Sequence, residues 1–437
     1  MIRILSLCLS VLLATPLWAA VEVKEFTSPA GIKAWLVEDH ALPFAVIDIR
    51  FRGGTSLDQP ETRGAVYLMM GLLEEGAADN DARAFSRELE ALAASMEFDA
   101  DDDSVSISVR FLTENRDQVL ELLRSVIHEP RFDQDAVDRV RGQVLSGLRN
   151  DAKDPNDIAG QRMSAMIFGD HPYATEGKGT LETVAALTRD DIVAAHRGVF
   201  ARDRLYVSAV GDITEDDLGV ILDQVLADLP ETGAPIPGPV TPEFVGGVHV
   251  VDFETPQSVA LFAQPGMARD DPDFFAAFVM NRIMGGGGFE SRLMSEVREK
   301  RGLTYGVYSY LFPKDLAAVY LGSVASANDR VAQAVEVIRD EWARAAKDGF
   351  SAEEVDAAKT FLTGAYPLRF DGNSRIAGIM VAMQMQGLPI DYIATRNDQV
   401  NAVTVDDVNR VAARLLDPDL LQFIVVGQPE GLDAASN

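Results

Sequence analysis

The sequence predicts an α+β protein of two homologous domains, each a mostly antiparallel sheet with helices packed on one side. Three observations predict it. A long stretch of the first half recurs in the second at constant spacing. Short segments alternate apolar and polar residues, and the longer segments after them have helical period. VAALTRDDIVAAHRGVFARDRLYVSAVGD (184–212) lies over VNAVTVDDVNRVAARLLDPDLLQFIVVGQ (400–428) without a gap, at an offset of 216 residues. Both copies open on a Thr-x-x-Asp cap, Thr188 with Asp191 and Thr404 with Asp407. Each then runs through a helix into a β-branched strand that ends in Gly211 or Gly427. A second pair, 115–148 and 328–366, matches with a few residues inserted ahead of Phe350. SVSISVRF (104–111) and AAVYLGSVAS (317–326) alternate as strands with one buried face.

In chain order, residues 1–20 read as a secretory signal peptide. Arg3 supplies the basic start, Ile4 to Leu13 the apolar stretch, and Ala19 and Ala20 the small residues before cleavage. That stretch is too short to span a bilayer, and no later run reaches the roughly 18 apolar residues a membrane helix needs. The expected location is periplasmic. Cys8, the only cysteine, lies inside this segment, so the exported chain carries no thiol, disulfide or Cys-bound metal. Freedom from cysteine suits an oxidising compartment. The first domain is expected at 21–228 and the second at 248–437. Between them, 229–247 holds five prolines and four glycines and reads as a linker. The formal net charge is -29, one unit more negative once Arg3 is removed. Such a surface offers nucleic acid and anionic membrane no cationic patch, which leaves solubility, or a preference for cationic peptides, as the sense of the charge.

The chemistry-bearing residues are few. The five histidines, His40, His128, His171, His196 and His249, stand at least 25 residues apart, so no helix turn presents two to one metal. DADDDS (99–104) begins like a calcium loop, but Ser104 and Arg110 stand where glycine and a bidentate glutamate are needed, so a solvated hairpin turn is expected. GNSRI (372–376) lacks the second glycine of a nucleophile elbow. The richest stretch is MGGGGFESRLMSEVREKRGLTYGVYSYL (284–311). Gly285, Gly286, Gly287 and Gly288 leave the backbone free to approach a ligand, although no phosphate-loop lysine accompanies them. The helix after them should stop at Gly302, with Arg298 in its last turn. On residue chemistry alone, Arg298 is a helix-end charge and Tyr305 a half-buried residue starting a strand.

The two-copy plan, the Pro-rich linker and GGGGFESRLMSEVREKRGLTYGVYS together resemble the pitrilysin-type zinc metallopeptidases, or inverzincins, in particular short bacterial members related to mitochondrial processing peptidase. The resemblance covers essentially the whole chain after the signal segment. It implies a zinc helix bearing H-x-x-E-H within the frame G-x-x-H-x-x-E-H-x-x-x-x-G. Here Gly64 and Gly76 keep the ends, while Tyr67 stands at the first histidine, Met70 at the glutamate and Gly71 at the second histidine. The family's further glutamate, some 75 to 80 residues downstream, is also missing, because no glutamate occurs between Glu129 and Glu176. Thioether and neutral phenol are poor zinc ligands, so no metal and no cofactor is expected in this chain.

The residues matching Arg298 and Tyr305 hold the substrate and stabilise the oxyanion in active relatives. Heterodimeric members divide zinc motif and Arg/Tyr pair between chains. The resemblance therefore implies the non-zinc subunit of a periplasmic heterodimeric peptidase, with zinc in a homologous partner and a peptide or unfolded protein as substrate. A peptide-binding or scaffold protein that lost catalysis is the alternative.

Overall fold

The computed structural model describes residues 22–432, so the expected signal segment lies outside the described residues. The first half contains β1 (Lys24–Thr27), β2 (Lys33–Glu38), β3 (Phe44–Arg52), a small ribbon of β4 (Gly76–Ala77) and β5 (Asn80–Asp81), then β6 (Ser95–Ala100), β7 (Ser104–Leu112) and β8 (Leu205–Gly211). The main sheet has the order β1-β2-β8-β3-β7-β6, and only β2 and β8 run parallel. The second half contains β9 (Gly247–Asp252), β10 (Gln257–Pro265), β11 (Val307–Pro313), β12 (Ala318–Ala327) and β13 (Gln422–Gly427). Its order from the far edge is β9-β13-β10-β12-β11, with β9 and β13 the parallel pair. Strand for strand this repeats β2-β8-β3-β7-β6, so β6 and β11 are corresponding free edges.

The repeat seen in the sequence is visible in detail. Helices Arg189–Val199 and Val405–Leu415 both open on capping boxes, Thr188 with Asp191 and Thr404 with Asp407, and both lead into the strand predicted. Register follows burial. Ile49 of β3 lies opposite Ile107 on one side and Val207 on the other, and all three are buried against the first half's own helices.

Each sheet carries helices of its own half on one face, as expected, and its second face is covered by a helix from the opposite half. Helix Pro155–Phe168 lays Ala159, Met163 and Ile167 on Ala263, Val319, Ile424 and Val426 of the second sheet. Helix Asn373–Met385 returns the gesture, packing Ile376, Ala377, Met380 and Met383 on Trp35, Val37, Val46 and Val210 of the first. The cause lies in strands that are apolar on both faces, such as the fully buried QFIVVG of β13. Two polar contacts fix the seat: the Ser208 hydroxyl donates to the Ala377 carbonyl at 2.8 Å, and the Gln384 amide to that of Val207 at 2.8 Å.

Between Leu226 and Gly247 there is no helix or strand. The Pro-rich segment is nonetheless tied to both halves, for Val240 N–H donates to the Leu316 carbonyl and Glu243 N–H to that of Ile167, each at 2.8 Å.

Candidate functional site

Gly64, in the left-handed region at φ +99°, starts the short helix Ala65–Leu72 that carries Tyr67, Met70 and Gly71. Its cap comes from upstream. The Asp58 carboxylate accepts from Gly64 N–H at 2.9 Å and from Val66 N–H at 3.1 Å, satisfying donors that the helix itself leaves free. Burial pushes the Asp58 carboxyl up to about 6, against the pull of those N–H groups and of Arg63. Arg63, also buried, braces the turn by donating to the Pro172 and Thr175 carbonyls at 2.8 and 2.7 Å. The helix then buries Ala65, Val66, Leu68, Met69, Met70 and Leu72.

Its remaining face opens into a cleft of about 530 Å³, and the structure brings all three motif positions into that one cleft. β6 contributes Phe98, Asp99 and Ala100, and helix Gln134–Asp151 contributes Val140, Gln143, Val144 and Gly147. This second wall is where the resemblance places the downstream glutamate, and it presents one amide and no carboxylate. At Gly71 an added Cβ would meet only Val140 Cγ1, at 3.4 Å, so a side chain is missing where the fold has room for one. Glu74 at the rim is raised by burial and by Glu75, and Glu75 is held by Arg139. Lys178 is bound to Asp151 at 2.9 Å and to Glu176 at 3.2 Å. A phenol, a thioether and a hydrogen atom do not make a zinc donor set. Among the described residues no group of three or more His, Cys, Asp or Glu side chains stands together as metal ligands. What the cleft does possess is the free edge of β6 beside it, which can hydrogen-bond an extended peptide along its length.

The C-terminal motif sits elsewhere, and neither Arg298 nor Tyr305 lines this cleft. Arg298 occupies the last turn of a π-helical segment, Met294–Glu299. Gly302, at φ +62°, closes the segment as expected, its N–H donating to the Arg298 carbonyl at 2.8 Å. The Arg298 guanidinium lies 4.5 Å over the Phe289 ring and has no carboxylate partner among the described residues. Tyr305 departs from expectation: it stands before β11 rather than at its start, and it is 89% exposed rather than half-buried. The reason is Thr304, whose hydroxyl donates to the Ala325 carbonyl at 2.6 Å and accepts from Gly306 N–H at 3.1 Å, bridging across residue 305 and turning its ring outward. The glycine run is explained by the chain itself. A Cβ at Gly285, Gly286 or Gly287 would collide with Ser309, Asn281 or Arg282, while Gly288 faces open space.

Each histidine has at least one hydrogen-bonding partner: Asp212 for His40 and main-chain carbonyls for His128, His171, His196 and His249. The 99–104 stretch is the expected hairpin turn; Asp99 is exposed, as a solvated turn predicts, but the other three carboxylates are engaged. Asp101 accepts from the N–H groups of Asp103 and Ser104, Asp102 pairs with Lys314 at 2.6 Å, and Asp103 accepts from the Tyr173 hydroxyl. Sequence reasoning missed Asp58 and Arg63 as supports of the motif helix, because a carboxylate six residues upstream of the helix start has none of the spacing of a local cap. It also missed β6 as a wall of the cleft, although its place beside the alternating SVSISVRF strand was the available signal.

Comparisons with known proteins agree with this geometry. Residues 33–180 match the pattern described as insulinase (peptidase family M16), and residues 186–362 the one described as peptidase M16 inactive domain. A Helicobacter pylori protein named non-peptidase homolog YmxG is 28% identical over 392 residues, 89% of this chain and 90% of that one. An uncharacterized zinc protease of Streptomyces coelicolor is 27% identical over 410 residues, 90% of this chain and 87% of the relative. The crystal structure of a peptidase M16 inactive domain from Pseudomonas fluorescens superposes with a TM-score of 0.88 at 30% identity, covering 95% of this chain and 100% of that one. That of a protease from Helicobacter pylori shares the fold, with a TM-score of 0.83 at 17% identity over 93% of this chain and 100% of the other. Both halves, and the frame that holds Tyr67, Met70 and Gly71 where zinc ligands would stand, thus place the chain in peptidase family M16.

Proposed function

We propose that this chain is the non-zinc subunit of an exported, periplasmic M16 peptidase, working beside a homologous partner that carries H-x-x-E-H. One contrast carries the reading. The cleft that would hold the metal has no zinc donor set, whereas Arg298, half-buried over the Phe289 ring, has no carboxylate partner among the described residues and Tyr305 is almost fully exposed. A phenolic donor and a cation held in this way serve a reaction centre supplied by another chain. Tyr305 would donate to the oxyanion that develops at the scissile peptide, and Arg298 would hold the peptide backbone. The name of the Helicobacter pylori relative, non-peptidase homolog, supports the absence of peptidase activity in the chain alone.

The purified chain should hold no stoichiometric zinc and cleave no peptide by itself, and should form a one-to-one complex with its zinc-bearing homologue that does. In that complex Tyr305→Phe should lower kcat by about 100-fold or more, the usual cost of losing one oxyanion donor, while assembly is unchanged. Arg298→Ala should raise KM as well. Full activity in both assembled variants would make the pair structural and sink the division of labour. A second reading, a peptide-binding scaffold, is favoured by the cleft beside the β6 edge. Persistent separate elution of the two proteins, with no activity on mixing, would select it.

A further inference from the structure

A second cavity, of about 420 Å³, lies within the second half among helix Phe274–Met284, the turn Tyr366–Arg369, and helices Asn373–Met385 and Tyr392–Ala402. It shares no lining residue with the cleft at Tyr67. Phe274, Phe275 and Phe278 form an aromatic wall, and three arginines, Arg269, Arg369 and Arg396, converge on the same space. Arg269 lies 4.3 Å over the Phe274 ring and donates to the Tyr392 hydroxyl at 2.7 Å. Arg396 is only 5% exposed, lies 4.5 Å over the Tyr366 ring, and donates to the Leu362 carbonyl at 2.8 Å and to Asn397 Oδ1 at 3.0 Å.

None of the three guanidiniums has a carboxylate within salt-bridge distance among the described residues. The chain has 68 acidic against 39 basic residues. In this half Arg292 meets Glu354 at 2.6 Å and Arg410 meets Asp273 at 2.7 Å, whereas Arg298, Arg330, Arg339 and Arg375 share with these three the lack of a carboxylate partner among the described residues; what sets Arg269, Arg369 and Arg396 apart is that they line one cavity. Burial lowers the affinity of Arg396 for its proton, as withdrawal of a cation from water does. The nearby Tyr366 hydroxyl, in the same lining, makes no hydrogen bond to the described residues. A cation so placed costs free energy unless an anion joins it.

We propose that this cavity binds a small amphipathic anion, a carboxylate or phosphate monoester joined to an aromatic or acyl body. The head group sits among Arg269, Arg369 and Arg396, whose planar forks match carboxylate and phosphate oxygens, with the Tyr366 hydroxyl as a further donor. The body lies on the phenylalanine wall. The volume falls within the range of small-molecule pockets and is too small for a folded partner. The inference does not depend on the peptidase reading, since it uses none of those residues.

Calorimetric titration of the full chain with phenyl phosphate, phenylacetate and octanoate tests it, with benzyl alcohol as the neutral control. At least one of the anions should bind saturably, and which one does identifies head group and body. Arg369 is exposed, so Arg369→Gln should leave the thermal unfolding midpoint unchanged and weaken that binding by about tenfold, the usual cost of one charge-assisted hydrogen bond. Arg269→Gln should act in the same direction. Absence of saturable binding by all three anions, equal binding of benzyl alcohol, or binding that neither substitution weakens would each overturn the proposal and leave the arginines as stacking groups on the aromatic wall.

Discussion

Asp58 reaches forward six residues to hold the start of the helix that carries Tyr67, Met70 and Gly71, and this gives the cleft a pH response of its own. Its folded pKa, about 6, lies above the ordinary 3.8, so between those values the folded state binds the proton more tightly than the unfolded state does. The stability contributed by the neutral carboxyl is therefore complete below about pH 4 and lost as pH rises through about 6. His196 runs the other way. Burial holds its imidazole down at about 4, so its contribution is complete above 6.5 and lost as pH falls. Because the two windows overlap, only a comparison isolates Asp58. The stability advantage of the wild type over Asp58→Asn should shrink by up to about 3 kcal/mol between pH 4 and pH 7, measured by urea unfolding at each pH. An advantage that stays constant would show an ordinary carboxylate. At this scale the sequence was legible where a frame existed: Gly64 and Gly76 located the three replaced positions. The outward turn of Tyr305 was not legible, because it depends on the Thr304 hydroxyl finding the Ala325 carbonyl on a strand 21 residues away.

The two exchanged helices show the same limit at the scale of elements. PNDIAGQRMSAMIF has an apolar face, which announces burial but says nothing about which sheet receives it. Capping boxes and alternating strands are local signals, and both copies of each were read correctly. The exchange is a long-range choice, decided by strands apolar on both faces. It makes an asymmetric prediction. Met380 is fully buried on the first sheet, and Met380→Ala should cost about 2 to 5 kcal/mol. The amides that exchange faster should be those of β3 and β8, in the half that does not contain the substitution. Hydrogen exchange read by mass spectrometry would show it, and acceleration confined to β10 and β13 would mean that the helix supports its own half instead.

For the whole molecule, the halves are completed by each other more than they are joined by the linker. Besides the exchanged helices, Lys314 on the β11–β12 turn meets Asp102 on the β6–β7 turn at 2.6 Å and lies 4.1 Å over the Tyr173 ring. Residues 22–236 and 237–432 produced as separate chains in one cell should therefore copurify and elute together, whereas either produced alone should be insoluble for want of a cover on its second apolar face. Two soluble, independently folded halves would contradict this. The exchange also has a consequence for inheritance. A gene for such a molecule cannot shed the copy whose metal positions have been replaced, since losing it would strip the roof from the other. The half around Tyr67, Met70 and Gly71 is needed as architecture whatever those three positions carry.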